Sequence, residues 1–219
     1  MKKTIISCVL FLTAVTAFSQ TPMKTAAEAK LSASDLAVKI ADRILATTTY
    51  EFKNTKTGKT YKSVKNLPLD MNVKVACKYN NWHYTNGVTH IALMELADKT
   101  GAKKYDYYVL KNMNFVFNEG NLDFFKKQYD QAMKNEGWYG VRKLSWHMIF
   151  RGKRLDDNGP MGASLIDLQM KHPNNSFLNY INETAEHLNY GEPRLADGTI
   201  ARIWPHENTI WADDAFMAI

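Results

Sequence analysis

A chain of 219 residues with 45% hydrophobic and 12% aromatic side chains has enough apolar surface for one sizeable packed domain, which excludes an intrinsically disordered protein. Two of its charges sit on Lys2 and Lys3, so the formal net charge of +6 falls to +4 without them, and the remaining lysines are scattered rather than interleaved with base-stacking aromatics. That pattern excludes a nucleic-acid-binding arm; so mild a charge is compatible with an anionic substrate but more often serves solubility alone.

At the N-terminus, Lys2 and Lys3 precede an apolar run from Ile5 to Phe18, and a small-residue site, Ala17-Phe-Ser19, precedes Gln20. The run is shorter than the roughly 20 consecutive apolar residues of a spanning helix, and polar residues from Gln20 to Lys24 follow it. Residues 1–19 therefore read as a secretory signal peptide and 20–219 as the mature domain of a secreted or periplasmic protein, with no membrane association after cleavage. Cys8 lies within the apolar run rather than at its end, which argues against lipid attachment, and its removal leaves Cys77 alone. One cysteine makes no intramolecular disulfide, so stability has to come from a packed core.

Beyond the leader, apolar residues recur at spacings of three and four, the mark of helix. Leu36, Ala37, Ile40, Ala41, Ile44 and Leu45 line one face of a first helix, with Ser34 as its N-cap and Asp35 in its first turn. Tyr50 to Val73, with lysines at 53, 56, 59, 62 and 65, reads as an exposed connection whose Leu67-Pro68 leads into the next helix. Two later segments match each other. Leu93, Leu96, Tyr105, Tyr108 and Val116 lie 6, 9, 18, 21 and 29 residues beyond Gly87, and Leu165, Leu168, Phe177, Tyr180 and Leu188 lie at the same offsets beyond Gly159. Each copy breaks after its first helix, at Lys99–Ala102 and at Lys171–Asn174. Repeated helical hairpins cannot bury their apolar faces alone and have to stack, so the fold class is all-α. The repeat permits an open solenoid, an ordinary bundle or a closed double ring.

The residues able to carry chemistry cluster late in the chain. Asp213 and Asp214 lie between Trp211 and Phe216, after Thr209 as a possible N-cap. Carboxylates in a first helical turn are stabilised by about 0.3–1 kcal/mol without further role, whereas a carboxyl desolvated by aromatics gains the raised pKa of a general acid. Asp156 and Asp157, in Leu155-Asp-Asp-Asn-Gly159, suit a turn and cap. In the first repeat the matching stretch is Trp82-His-Tyr84-Thr-Asn-Gly87, whose aromatics suit either a sugar ring or the core. Arg202 and His206 precede Asp213, and a guanidinium pairs well with a carboxylate. Trp138, Trp146 and His147 lie in another connection and could line a cleft, with packing as the first reading. The histidines, at 83, 90, 147, 172, 187 and 206, form no His-Glu-x-x-His motif, and neither a close cysteine pair nor a Gly-rich phosphate loop occurs.

The stretch Trp211-Ala-Asp213-Asp214-Ala-Phe216-Met217 resembles the Trp-x-Asp-x-x-(Tyr/Phe)-Met signature of the unsaturated glucuronyl and rhamnogalacturonyl hydrolases, glycoside hydrolase families 88 and 105, with the second fitting better. The resemblance extends back through Leu155–Gly159 to Trp82–Gly87. It implies an (α/α)6 barrel, a six-hairpin toroid with its active site at one end. Family members are longer, and the helix beginning near Ile210 meets no C-terminal cap in the sequence, so a C-terminally truncated member with only part of the toroid is expected. The resemblance aligns Asp213 with the catalytic acid/base and Asp157 with its partner, leaving Asp214 structural. Tyr84, Trp82 and Trp211 would contact the sugar, and Arg202 and His206 its carboxylate. The implied reaction uses no cofactor and acts on oligosaccharides ending in an unsaturated uronic acid. The alternative is a non-catalytic secreted helical-repeat module binding glycan or protein, or an inactive fragment.

Overall fold

The computed structural model describes residues 31–151, 155–203 and 205–217. The expected signal peptide lies outside the described residues. Residues up to Ile40 and from Ala41 onward form two compact units. In the first, helix α1 (Ala33–Thr47, which continues into the second) opens on a reciprocal cap. Ser32 Oγ accepts from the Asp35 backbone N–H at 3.1 Å, and Asp35 Oδ2 accepts from the Ser32 backbone N–H at 3.1 Å. This capping box starts the helix two residues earlier than the expected Ser34 cap, because only Ser32 has a carboxylate three positions on.

The second unit begins with a departure from expectation. Residues 50–75 fold as a three-stranded antiparallel sheet, β1 (Phe52–Asn54), β2 (Thr60–Tyr61) and β3 (Val73–Val75), in the order β2-β1-β3. Phe52 pairs with Tyr61 on one side and Val75 on the other, and its fully buried ring lies 5.7–5.9 Å from those of Phe115, Phe124 and Phe125. The five lysines stay outside. Strands of two or three residues are too short to display a period of two, so the polar lysines masked a buried sheet. Leu67-Pro68 leads toward β3 rather than into a helix.

Helices dominate the rest. α2 (Tyr84–Thr100) and α3 (Lys104–Val116) form one hairpin, and α5 (Leu155–Lys171) and α6 (Asn175–Glu186) form a second. Their bounds follow the 72-residue offset within two residues. Leu93, Tyr105 and Val116 are buried in the first copy, as are Leu165, Leu168 and Phe177 in the second. Between the hairpins the repeat is interrupted by α4 (Glu119–Val141), which kinks at Gly137, and a 3-10 turn, His147–Phe150. Gln128 on α4 donates from Nε2 to the carbonyls of Asp70 and Val73, both at 2.8 Å, joining the insertion to the sheet. The architecture is all-α apart from this small sheet. Its stacked hairpins are the repeating unit of a six-hairpin toroid, present in part. Among the described residues no helix is long and apolar enough to cross a membrane.

Two glycines set the stacking distance. A Cβ on Gly87 would lie 2.4 Å from the Pro160 carbonyl carbon, and one on Gly159 would lie 1.7 Å from the Met217 carbonyl oxygen. The same repeat position thus brings α2 backbone onto α5, and α5 backbone onto α7 (Asp214–Met217). Gly87→Ala is expected to destabilise the fold by about 1–3 kcal/mol or more through overpacking. Gly101→Ala, at φ 71° with open space around it, costs only the roughly 1 kcal/mol of a left-handed alanine. Thermal unfolding of the two variants checks this, and equal losses would refute the close-approach argument.

His90 on α2 is fully buried, and burial holds its imidazole down at about 4, against 6.5 when exposed. As pH falls from 6.5 toward 4 the unfolded chain takes up a proton that the folded chain refuses, so stability drops by roughly 3 kcal/mol across that window. His147, also lowered mainly by burial, adds to the loss with the same sign. Unfolding midpoints at pH 7 and 4.5 should differ less for His90→Asn than for the parent; an unchanged difference would place the origin elsewhere.

Candidate functional site

The site is assembled on the N-terminal ends of neighbouring helices. Asn86 and Asn158, each one residue before a stacking glycine, and Asp214, at the start of α7, are buried polar side chains that are tied down. Asn86 Nδ2 donates to the carbonyls of Lys78 (2.9 Å) and Asn81 (2.8 Å), and Asn158 Oδ1 accepts from the Tyr180 hydroxyl at 2.7 Å. The residues preceding them, Thr85, Asp157 and Asp213, lie at the N-terminal ends of α2, α5 and α7.

Asp214 is held by Arg202. Residues 194–200 turn back at Gly198 (φ 89°), and Arg202 pairs with Thr209 in an antiparallel bridge, which fixes the arginine backbone. Its Nε donates to both Asp214 oxygens, at 2.8 and 2.9 Å, and Nη2 lies 2.6 Å from Oδ1. The far edge of the guanidinium reaches Asp156, with Nη2 to Oδ1 at 2.8 Å and Nη1 to Oδ2 at 3.4 Å. Its flat face lies 4.2 Å from the Trp211 ring centroid. Asp214 is 3% exposed. Burial by itself pushes its carboxyl up, but the Arg202 hydrogen bonds, the Trp211 backbone N–H at 2.8 Å and the guanidinium charge outweigh burial and hold it below the ordinary carboxylate range. The Arg202 guanidinium is raised in turn, above all by its hydrogen bonds to Asp214.

The carboxylates expected from sequence thus divide. Asp213 faces solvent, whereas the buried acid beside Trp211 is Asp214, so the expected desolvation falls on the neighbour. Asp157 sits in the first turn of α5, and its side chain lies outside the described residues. Arg202, expected to meet a substrate carboxylate, spans two carboxylates of its own chain. Trp211 is 45% exposed, with one face over that guanidinium. Tyr84, 37% exposed, stacks beside His83 with ring centroids 4.6 Å apart. His206 lies in an exposed turn, where its carbonyl accepts from Thr209 Oγ1, so Thr209 spends its hydroxyl there and does not cap α7. Trp82 requires correction as a sugar-stacking residue. It is 0% exposed and packs 4.6 Å from Tyr180, 6.2 Å from Phe117 and 6.3 Å from Trp146, so no ring face is left for a ligand.

A cavity of about 430 Å³ adjoins the Arg202 network, walled by Leu155, Asp156, Pro193, Ile203, Trp211 and a His187–Glu192 pair. His187 Nε2 and Glu192 Oε1 are 2.9 Å apart across a π-helical turn, His187–Gly191, and a Cβ on Gly191 would sit 2.3 Å from His187 Nδ1. The sequence reading missed this pair, because a search for spacings of three and four passes over two residues joined across five. Such turns often mark functional sites. Mixed apolar and hydrogen-bonding walls suit an oligosaccharide. Among the described residues no group of three or more His, Cys, Asp and Glu side chains is placed to hold a metal ion.

Removing Arg202 would leave Asp214 buried without its counter-charge. Arg202→Gln is expected to cost about 2–4 kcal/mol, less than a fully buried pair because Asp156 is partly exposed. Arg202→Gln combined with Asp214→Asn should recover part of the loss in denaturant melts. Additive losses would mean that the two side chains are not coupled.

A search of curated proteins returns no match. The family model described as Glycosyl Hydrolase Family 88 matches residues 54–219, which take in β2, β3, both hairpins, the Arg202 network and both aspartate motifs. That match covers 166 of the 219 residues, from the end of the first strand through Trp211–Met217. The chain therefore belongs to glycosyl hydrolase family 88 and is a glycoside hydrolase.

Proposed function

We propose that this hydrolase removes the terminal 4,5-unsaturated uronic acid from oligosaccharides left by polysaccharide lyases, with unsaturated rhamnogalacturonan fragments of pectin as its substrates. The observation that carries the reading is the Arg202 bridge. One guanidinium joins Asp156 to Asp214, so the residues next to them, Asp157 and Asp213, belong to one small region although 56 positions separate them. Two acidic positions on adjacent helix ends, beside an exposed tryptophan and an open cavity, suit a pyranose ring with a reactive alkene.

The reaction starts from a vinyl ether, not from an intact acetal, so it needs one acid/base where ordinary glycoside hydrolysis uses two carboxylates at the anomeric carbon. The Asp213 carboxyl gives its proton to C4, and the positive charge that develops at C5 is shared with the ring oxygen. Water adds at C5 and returns its proton to Asp213. The resulting hemiketal opens between C5 and the ring oxygen to a C5 ketone and a C1 hemiacetal, and the hemiacetal collapses to the C1 aldehyde, with its hydroxyl proton passing to the oxygen of the departing sugar. A sugar lying over Trp211 would exclude water from the Asp213 carboxyl during the proton transfer. Asp157 holds ring hydroxyls, and Tyr84 lies against the ring. The signal-peptide reading of residues 1–19 agrees with action outside the cytoplasm.

The test follows ultraviolet absorbance of the conjugated alkene with unsaturated rhamnogalacturonan disaccharide. Wild type should bleach it, and Asp213→Asn should be slower by roughly 10²–10⁴-fold while still binding the sugar. Equal rates would remove Asp213 from the chemistry. Bleaching of unsaturated glycosaminoglycan disaccharides alone would redirect the substrate assignment.

A further inference from the structure

We propose that the segment inserted between the two hairpins forms a second carbohydrate subsite, in which Trp138, Arg142 and His147, beside His83 and Tyr84, take an anionic sugar unit beyond the terminal unsaturated one. The proposal rests on the hydrolase reading above and extends it to the rest of the oligosaccharide.

α4 and its 3-10 turn have no counterpart in the repeat, yet they are pinned to the mouth of α2. Trp146, in the left-handed region at φ 60°, donates its backbone N–H to Asn81 Oδ1 at 2.7 Å, and its ring lies 6.3 Å from that of Trp82. His147 follows Trp146 and His83 follows Trp82, so the pinned pair carries the inserted turn to the end of α2 where Tyr84 is exposed. A non-glycine residue at positive φ is strained, and it persists here because burial and this hydrogen bond over-determine it.

The chemistry gathered there is cationic and aromatic. The Arg151 guanidinium lies 4.3 Å from the centre of the Trp138 ring, and His147 meets the same ring edge-on at 5.8 Å. His147 spends Nδ1 on the Leu144 carbonyl at 2.7 Å and keeps Nε2 for another partner. Arg142, exposed at the end of α4, has no carboxylate partner among the described residues, and the nearby acid Glu136 is paired with Lys143 at 2.7 Å. After burial, the charges of Arg151, Arg142 and His83 all press the His147 pKa down, as expected where positive groups converge on one spot. A neutral sugar would need the aromatic faces alone. Guanidinium and imidazole donors set against aromatic faces match a ring carrying a carboxylate.

The test compares two substrates of the same reaction, unsaturated rhamnogalacturonan disaccharide, with one carboxylate, and the tetrasaccharide, with a second. Arg142→Glu, on an exposed side chain, should raise KM for the tetrasaccharide about two- to fivefold and leave the disaccharide unchanged. Added salt should weaken only the tetrasaccharide preference. A KM that rises equally for both, or for neither, would overturn the subsite while leaving the hydrolase reading intact. If wild type consumes neither substrate, the hydrolase reading fails, and calorimetric titration with saturated trigalacturonate decides the subsite. Weaker binding by Arg142→Glu than by wild type would sustain it, and equal or absent binding would overturn it.

Discussion

The candidate site depends on the Arg202 guanidinium, which ties the first turn of α5 to the first turn of α7 through Asp156 and Asp214 while Trp211 covers one of its faces. Arginine suits the task because its donors lie in one plane and reach two carboxylates along different edges. Burial makes the arrangement consequential, since neither ion can be left without the other at low cost. Asp213, next to the paired Asp214, is left exposed to solvent.

A second constraint is steric. α2, α5 and α7 approach so closely at Gly87 and Gly159 that a single added carbon would enter the next backbone. Close approach lets three helix ends share one small mouth, and the buried Asn86, Asn158 and Asp214 satisfy the polar groups that such packing would otherwise strand. The aromatic core behind them, in which Trp82 meets Trp146, Phe117 and Tyr180, and Phe117 meets Tyr180, gives those ends a rigid backing.

Where sequence and structure part, the reasons are local. Trp82 and Tyr84 are both aromatic and two residues apart, but one precedes α2 and turns into the core while the other opens the helix and stays exposed; composition cannot separate them. Phe52 and its strands were hidden because their neighbours are lysines and their pairing partners lie 9 and 23 residues away. α4 escaped because it breaks the 72-residue repeat that made the other helices visible, and the His187–Glu192 pair escaped because it closes across a π turn.

By itself the sequence determined the helical hairpins and the family, since periodic burial and a short acidic-aromatic motif are properties of neighbours along the chain. It also marked Asp157 and Asp213, through their motifs. Only the tertiary structure decided that Asp214 is the buried acid, that Arg202 bridges two carboxylates of its own chain, and that Trp82 is core. Each of those outcomes depends on contacts across 12 to 98 residues, whose distances and burial no local pattern encodes.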